Sequence, residues 1–127
     1  MATNTKNLGN LGEEEAVKYL KNNGYEILDR NFQNNFGRRL GEIDIIALDP
    51  KEKEIVFVEV KTREFEKYKN TLPEENITYS KLRKLNKIAN AYLRLKNLED
   101  EAYRFDAISV WLSEITGEAK IKHIQSL

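Results

Sequence analysis

The stretch Gly41–Arg63, GEIDIIALDPKEKEIVFVEVKTR, constrains this chain more than any other. Two runs rich in isoleucine and valine flank Asp49-Pro50 and a short charged segment, the pattern of two antiparallel strands joined by a turn. Within those runs stand Asp44, Glu59 and Lys61, where apolar residues would be easier to accommodate. A symmetric hairpin turning at Lys51 and Glu52 sets Asp44 opposite Glu59 and Glu42 opposite Lys61. Glu42 with Lys61 is an ordinary ion pair. Asp44 with Glu59 is not, because like charges across a sheet cost up to about 1 kcal/mol when exposed and more when desolvated. That pair requires a proton or a cation, and cross-strand Cβ separations of ~4.5–5.5 Å let two carboxylates reach one divalent ion.

Side-chain alternation agrees with a site. Ile55, Phe57, Glu59 and Lys61 share one face, which passes from core to charge, while Val56, Val58 and Val60 occupy the other. A strand apolar on both faces is usually central in its sheet. Hydrolysis of a phosphodiester needs an activated water and a place for developing negative charge. Mg²⁺ or Mn²⁺ held by carboxylates supplies both, and the main-chain carbonyl of Val60 is a natural further ligand. Lys61, two residues beyond Glu59, is placed to orient or help deprotonate the attacking water and to stabilise the pentavalent phosphorus. The competing reading is an amphipathic hairpin with ordinary ion pairs, since a bare D…ExK pattern arises often by chance. The central character of Ile55–Val60 favours the site, because charges are costly there.

The rest of the chain supplies the frame. Residues 1–8 are polar. Gly9 and Gly12 precede a helix whose stripe is Ala16, Val17 and Leu20, ended by Gly24. Glu14 and Glu15 lie near Lys18 and have ordinary helix pairs. Glu13 projects on the buried side, either as a charge complementing the helix dipole or as a carboxylate aimed at a site. Tyr25–Phe32 reads as a first strand, Glu42–Leu48 as a second and Ile55–Thr62 as a third. Tyr79 to about Asn97 is the longest helix, followed by strands Tyr103–Leu112 and Ala119–Ile124. The segments Gln33–Leu40 and Glu64–Thr78 read as loops, the second long enough to carry function. The order αβββαββ predicts an α/β fold with a central mixed sheet flanked by helices, and 127 residues suit one domain over 1–127.

Composition narrows the chemistry. With no cysteine and a single histidine, His123, thiolate chemistry and paired-histidine mechanisms are out. Lys+Arg and Asp+Glu number 21 each, so any nucleic-acid contact must come from a local patch rather than bulk charge. No apolar run approaches the roughly 18 residues of a membrane span, and MATNTKNLGN has no signal core, so the expected location is the cytoplasm.

At GEIDIIA and FVEVKTR the chain resembles the YraN-like family of small bacterial proteins. By fold these belong to the PD-(D/E)xK nuclease superfamily, whose relatives include archaeal Holliday-junction resolvases. Gly12-Glu13, Ala16, Tyr19-Leu20, Gly24-Tyr25, Ile27-Leu28 and Arg30-Asn31 resemble the family's opening helix and first strand. Arg104-Phe105-Asp106 resembles its late strand. The resemblance implies a restriction-endonuclease-like fold, Asp44 and Glu59 as metal ligands and Lys61 as the catalytic lysine. It also makes Glu13 the helical glutamate that completes the site. One departure is Ile43, where the superfamily has proline before the aspartate. Another is the loop Gln33–Leu40, which looks longer than is typical of the family.

Candidate phosphate contacts are Arg63, Lys81, Lys84 and Arg39, with Lys67, Lys69, Lys87 and Arg94 behind them. Tyr68 and Tyr79 could stack on bases, although tyrosine at a helix start more often packs. Trp111 reads as a core or dimer contact and His123 as incidental. The expected function is a metal-dependent endonuclease acting on DNA, on branched or single-stranded recombination or repair intermediates. A homodimer is expected by analogy with resolvase-like relatives. The alternatives are a non-catalytic nucleic-acid-binding module of the same fold and an interaction protein whose acidic cluster is structural.

Overall fold

A computed structural model of the chain describes residues 5–33, 41–65 and 78–127. Its elements are α1 (Thr5–Asn22), β1 (Glu26–Gln33), β2 (Glu42–Leu48), β3 (Ile55–Glu64), α2 (Tyr79–Leu95), β4 (Tyr103–Leu112) and β5 (Ala119–Ile124). The strands form one mixed sheet in sequential order. β1, β2 and β3 run as an antiparallel meander, β3 and β4 pair in parallel, and β5 returns antiparallel to β4. The architecture is α/β, in the αβββαββ order expected of a restriction-endonuclease-like fold. No helix among the described residues is long and apolar enough to cross a membrane.

Each sheet face buries one helix. Ala16, Val17 and Leu20 of α1 pack on Ile45, Ala47, Val56, Val58, Ile108 and Val110. Leu85, Ile88, Ala89, Tyr92 and Leu93 of α2 pack on Ile43, Ile46, Ile55 and Phe57. β3 contributes to both clusters, which is why both of its faces are apolar before Glu59. Burying a side chain such as Phe57 or Leu20 contributes about 1.5–3 kcal/mol, and both are at most 2% exposed.

α1 starts earlier than the glycines suggest. Glycine in a helix costs only about 1 kcal/mol relative to alanine, and the second one is required by packing. A Cβ on Gly12 would lie 1.7 Å from Thr62 Oγ1 on β3. The absent side chain lets α1 approach β3 closely enough to bring Glu13 to the sheet. Glu15 pairs with Lys18 at 3.6 Å as expected, whereas Glu14 reaches across to Arg30 on β1 at 2.8 Å.

The hairpin has the symmetric register. Ile45, Ile46, Ala47 and Leu48 face Val58, Phe57, Val56 and Ile55. The Asp49 amide donates to Glu54 O at 2.9 Å, and the Asp49 carboxylate caps the turn through the Lys51 and Glu52 amides at 2.8 and 3.2 Å. The ladder stops at Ile45 and Val58, one step before Asp44 and Glu59.

Candidate functional site

The strands part where the charges begin. Ile43 faces α2 and Ile45 faces α1, so alternation breaks at Asp44. The neighbouring residue of β1, Asn31, adopts φ 52°, a left-handed conformation that asparagine tolerates better than most residues. The freed Asp44 carboxylate points along the sheet and accepts the Val60 amide at 2.8 Å. A side-chain oxygen thus takes a bond that the main chain of β2 would otherwise receive. Carbonyl and amide of one strand residue leave the same edge, so the Val60 carbonyl also faces this gap.

Three carboxylates converge here, with a fourth beside them. One oxygen each from Glu13, Glu42 and Asp44 lies within 4.8 Å of the others. Glu59 enters from β3. Burial pushes the Asp44 carboxyl up to about 7, and repulsion from Glu13, Glu59 and Glu42 adds to that despite the Val60 hydrogen bond. Glu59 Oε2 is buried with no hydrogen-bond partner among the described residues. An orphaned buried carboxylate oxygen is costly, and a divalent cation seeks such an oxygen. The donor set is all oxygen, the preference of Mg²⁺ and Mn²⁺. The residues present therefore fit such an ion.

Two lysines flank Glu59. Lys61 Nζ is 3.7 Å from Glu59 Oε1, and Lys81 Nζ, from the first turn of α2, forms a closer ion pair with the same oxygen. Burial, followed by the hydrogen bond and charge of Lys81, holds Lys61 below the ordinary lysine value. For Lys81, burial acts in the same direction, but hydrogen bonds to Glu59 and Lys61 and the charges of Glu59 and Asp44 outweigh it and hold Lys81 above that value. Thr78 positions this turn, its Oγ1 accepting from the Lys81 amide at 3.1 Å. A cavity of about 390 Å³ opens beside them, lined by Glu42, Glu59, Ser80, Lys81 and Lys84 among others.

Asp44, Glu59, Lys61, Glu13 and Val60 thus meet at one place, with Lys81 and Lys84 at its rim. Arg63 lies further along β3, on the face of Glu59 and Lys61 and in register with Trp111. Arg39, Arg38, Lys67, Tyr68 and Lys69 lie outside the described residues. Glu42 departs from its expected role. It accepts hydrogen bonds from Asn31 at 3.4 Å and Gln33 at 3.0 Å, while Lys61 turns to Glu59, because the strands have already separated at Glu42. Asn31 was not singled out for a role by sequence reasoning, yet its Nδ2 also donates to Glu13 Oε1 at 3.1 Å and tethers α1 to the site. The signal that could have found it is an asparagine in a strand, opposite an aspartate. Tyr79 is 79% exposed and does not pack.

His123 is not incidental. Its Nε2 lies 2.7 Å from Asp106 Oδ2 and its Nδ1 3.0 Å from the Tyr19 hydroxyl. Asp106 also binds Arg104, whose guanidinium reaches Asp49 at 2.6 Å, Glu54 at 3.1 Å and Tyr25 at 3.0 Å. This network ties the hairpin turn to β4 and β5, on the α1 side of the sheet.

The comparisons with known proteins agree with one another. The model of Uncharacterised protein family UPF0102 matches residues 12–110. A UPF0102 protein of Caldicellulosiruptor saccharolyticus is 44% identical over 110 residues, covering 87% of this chain and 86% of the relative. One from Clostridium beijerinckii is 43% identical over 122 residues, covering 94% and 91%. One from Desulforamulus reducens is 39% identical over 127 residues, covering 99% and 98%.

Proposed function

The chain belongs to Uncharacterised protein family UPF0102, and from that premise we propose that it is a metal-dependent nuclease hydrolysing phosphodiester bonds of DNA in the cytoplasm. The observation that carries this reading is Glu59: one oxygen faces two lysines, and the other is buried with no hydrogen-bond partner among the described residues, beside a crowded Asp44. A fold that only needed stability would replace such a group with an apolar one.

On this reading Asp44, Glu59, the Val60 carbonyl and Glu13 would hold Mg²⁺ or Mn²⁺, and Glu42 offers a further oxygen beside Glu13 and Asp44. The ion supplies Lewis acidity toward a phosphoryl oxygen and lowers the pKa of a bound water. Lys61 would orient the attacking water and, as the neutral amine that burial and Lys81 favour, accept its proton. Lys84 and Arg63 would grip flanking phosphates, and Lys81, paired with Glu59, lines the same cavity as Lys84. The substrate class is branched or single-stranded DNA arising in recombination or repair. Two copies of the chain would place two such sites on the two strands of a junction.

The test uses labelled duplex, single-stranded and four-way-junction DNA with Mg²⁺, Mn²⁺ or EDTA. Cleavage is expected with the wild type and metal and is lost in EDTA and in Lys61→Ala. Cleavage persisting in EDTA or in the variant contradicts the mechanism. Binding without cleavage under every condition makes the protein a nucleic-acid-binding module instead.

A further inference from the structure

The second lysine at the site calls for its own explanation. Phosphodiester hydrolysis of the kind proposed uses one lysine on β3, and Lys61 fills that place. Lys81 comes from a different element. Its Nζ touches Glu59 Oε1 more closely than Lys61 does, and its side chain is 31% exposed against 12% for Glu59. Its backbone is fixed by the Thr78 cap, so this reach is built into the start of α2. The described contacts of Lys81 lead to Glu59 and Lys61, and Asp44 also attracts it.

We propose that Lys81 is a built-in competitor for the divalent cation: in the metal-free protein its ammonium neutralises Glu59, and metal entry must repel or displace it. This inference rests on the metal site proposed above. Its physical basis is that a third cation cannot cheaply join the two lysines already on one small carboxylate. The two oxygens of Glu59 belong to one carboxylate, so an ion on Oε2 lies within a few ångströms of an ammonium on Oε1, and they repel strongly in a half-buried site. Lys61 already sits 3.7 Å from that same oxygen. The ion therefore enters at the expense of Lys81, whose long flexible stem lets the head swing toward the cavity it shares with Ser80 and Lys84. Metal loading and exposure of a phosphate-binding ammonium become one event. The metal-free site, meanwhile, is held shut by the protein's own cation.

The experiment titrates Mn²⁺ into the full chain by calorimetry, comparing wild type with Lys81→Met and Lys84→Met, alongside melting temperatures in EDTA. Lys84 lines the same cavity and controls for a general loss of positive charge. Lys81→Met is expected to bind Mn²⁺ about tenfold tighter than wild type, and Lys84→Met less than about twofold tighter. Lys81→Met should also melt lower in EDTA and gain more from Mn²⁺, a pair of changes that a purely structural role would not give. Equal Mn²⁺ affinity in wild type and Lys81→Met, or an equal gain in Lys84→Met, overturns the competition while leaving the metal site standing. Absence of Mn²⁺ binding in all three proteins overturns the metal site itself.

Discussion

One sheet carries two charged clusters, and they are built on opposite principles. Toward the hairpin turn, Arg104 binds Asp49, Glu54 and Asp106, and His123 completes Asp106. Asp106 is fully buried, yet hydrogen bonds from His123, Arg104 and the Ser126 amide outweigh that burial and hold its carboxyl below the ordinary range. Asp49 is likewise held low by Arg104 and the two turn amides. Where β2 and β3 part, the balance is reversed. Asp44 is pushed up by burial and by three neighbouring carboxylates, and Glu59 keeps an orphaned buried oxygen. The first cluster satisfies its charges within the chain, whereas in the second one carboxylate oxygen is buried with no hydrogen-bond partner among the described residues. Burial of charge alone therefore does not set a cluster apart. Burial with a polar atom left unsatisfied does.

The largest effect should come from breaking the closed cluster. Arg104→Ala takes the guanidinium away from buried Asp49 and Asp106, leaving them only His123 and main-chain amides, and is expected to cost about 3–5 kcal/mol, read by urea unfolding. Glu59→Gln, at the open end, removes a partly buried charge as well as its pairs with Lys61 and Lys81, and should cost less than about 1 kcal/mol. A comparable loss in both variants would erase the distinction.

The two clusters also titrate with opposite sign. Asp44 has a folded pKa of about 7 against an ordinary 3.8, so the native state binds more protons between those values and stability falls as pH rises through them. Three units correspond to at most about 4 kcal/mol. Asp49 and Asp106, held low, contribute stability above the ordinary carboxylate range and lose it as pH falls through their own depressed values. Without metal, stability should therefore peak near pH 4–5 rather than at neutrality. Asp44→Asn, which can still accept the Val60 amide, should remove the decline toward pH 7 and stabilise by about 2 kcal/mol at pH 8. A flat wild-type profile between pH 4 and 7 would contradict this.

Smaller effects test how α1 and α2 serve the open end. Gly12→Ala sets about 1–3 kcal/mol of overpacking against Thr62 against a helix gain of about 1 kcal/mol, so a net loss of about 1–2 kcal/mol is expected. Mn²⁺ affinity should fall with it, because Glu13 moves away. Thr78→Ala removes the cap of α2 and should cost about 0.5–1 kcal/mol in chemical denaturation.

Much of this was legible from the chain, because strong local patterns decided it. β2, β4 and β5 lie where alternation put them, the hairpin register follows from its turn, and the two faces of β3 are those read from Ile55 to Lys61. The start of α1 was obscured because glycine signals a break when its use is contact, as Gly12 against Thr62 demonstrates. The charges of the open cluster were legible in the strands, but the parting of the strands around them was not. A regular ladder would pair Asp44 with Glu59, and only the irregularity at Asn31 and Asp44 frees the carboxylate for the Val60 amide. The closed cluster stayed hidden because its partners lie far apart in sequence: Asp49 and Arg104, Asp106 and His123, Tyr19 and His123. Nothing local in a strand announces that its arginine will meet a distant turn.

The claim that the open cluster is completed by a cation is tested most directly by melting the protein at pH 8 with EDTA, Mg²⁺ or Mn²⁺, beside Asp44→Asn and Glu59→Gln. The wild type should gain several degrees with metal, and both variants should gain little, with Asp44→Asn melting above the wild type in EDTA. A wild type whose melting temperature is indifferent to metal would make the acidic cluster merely structural and contradict the account.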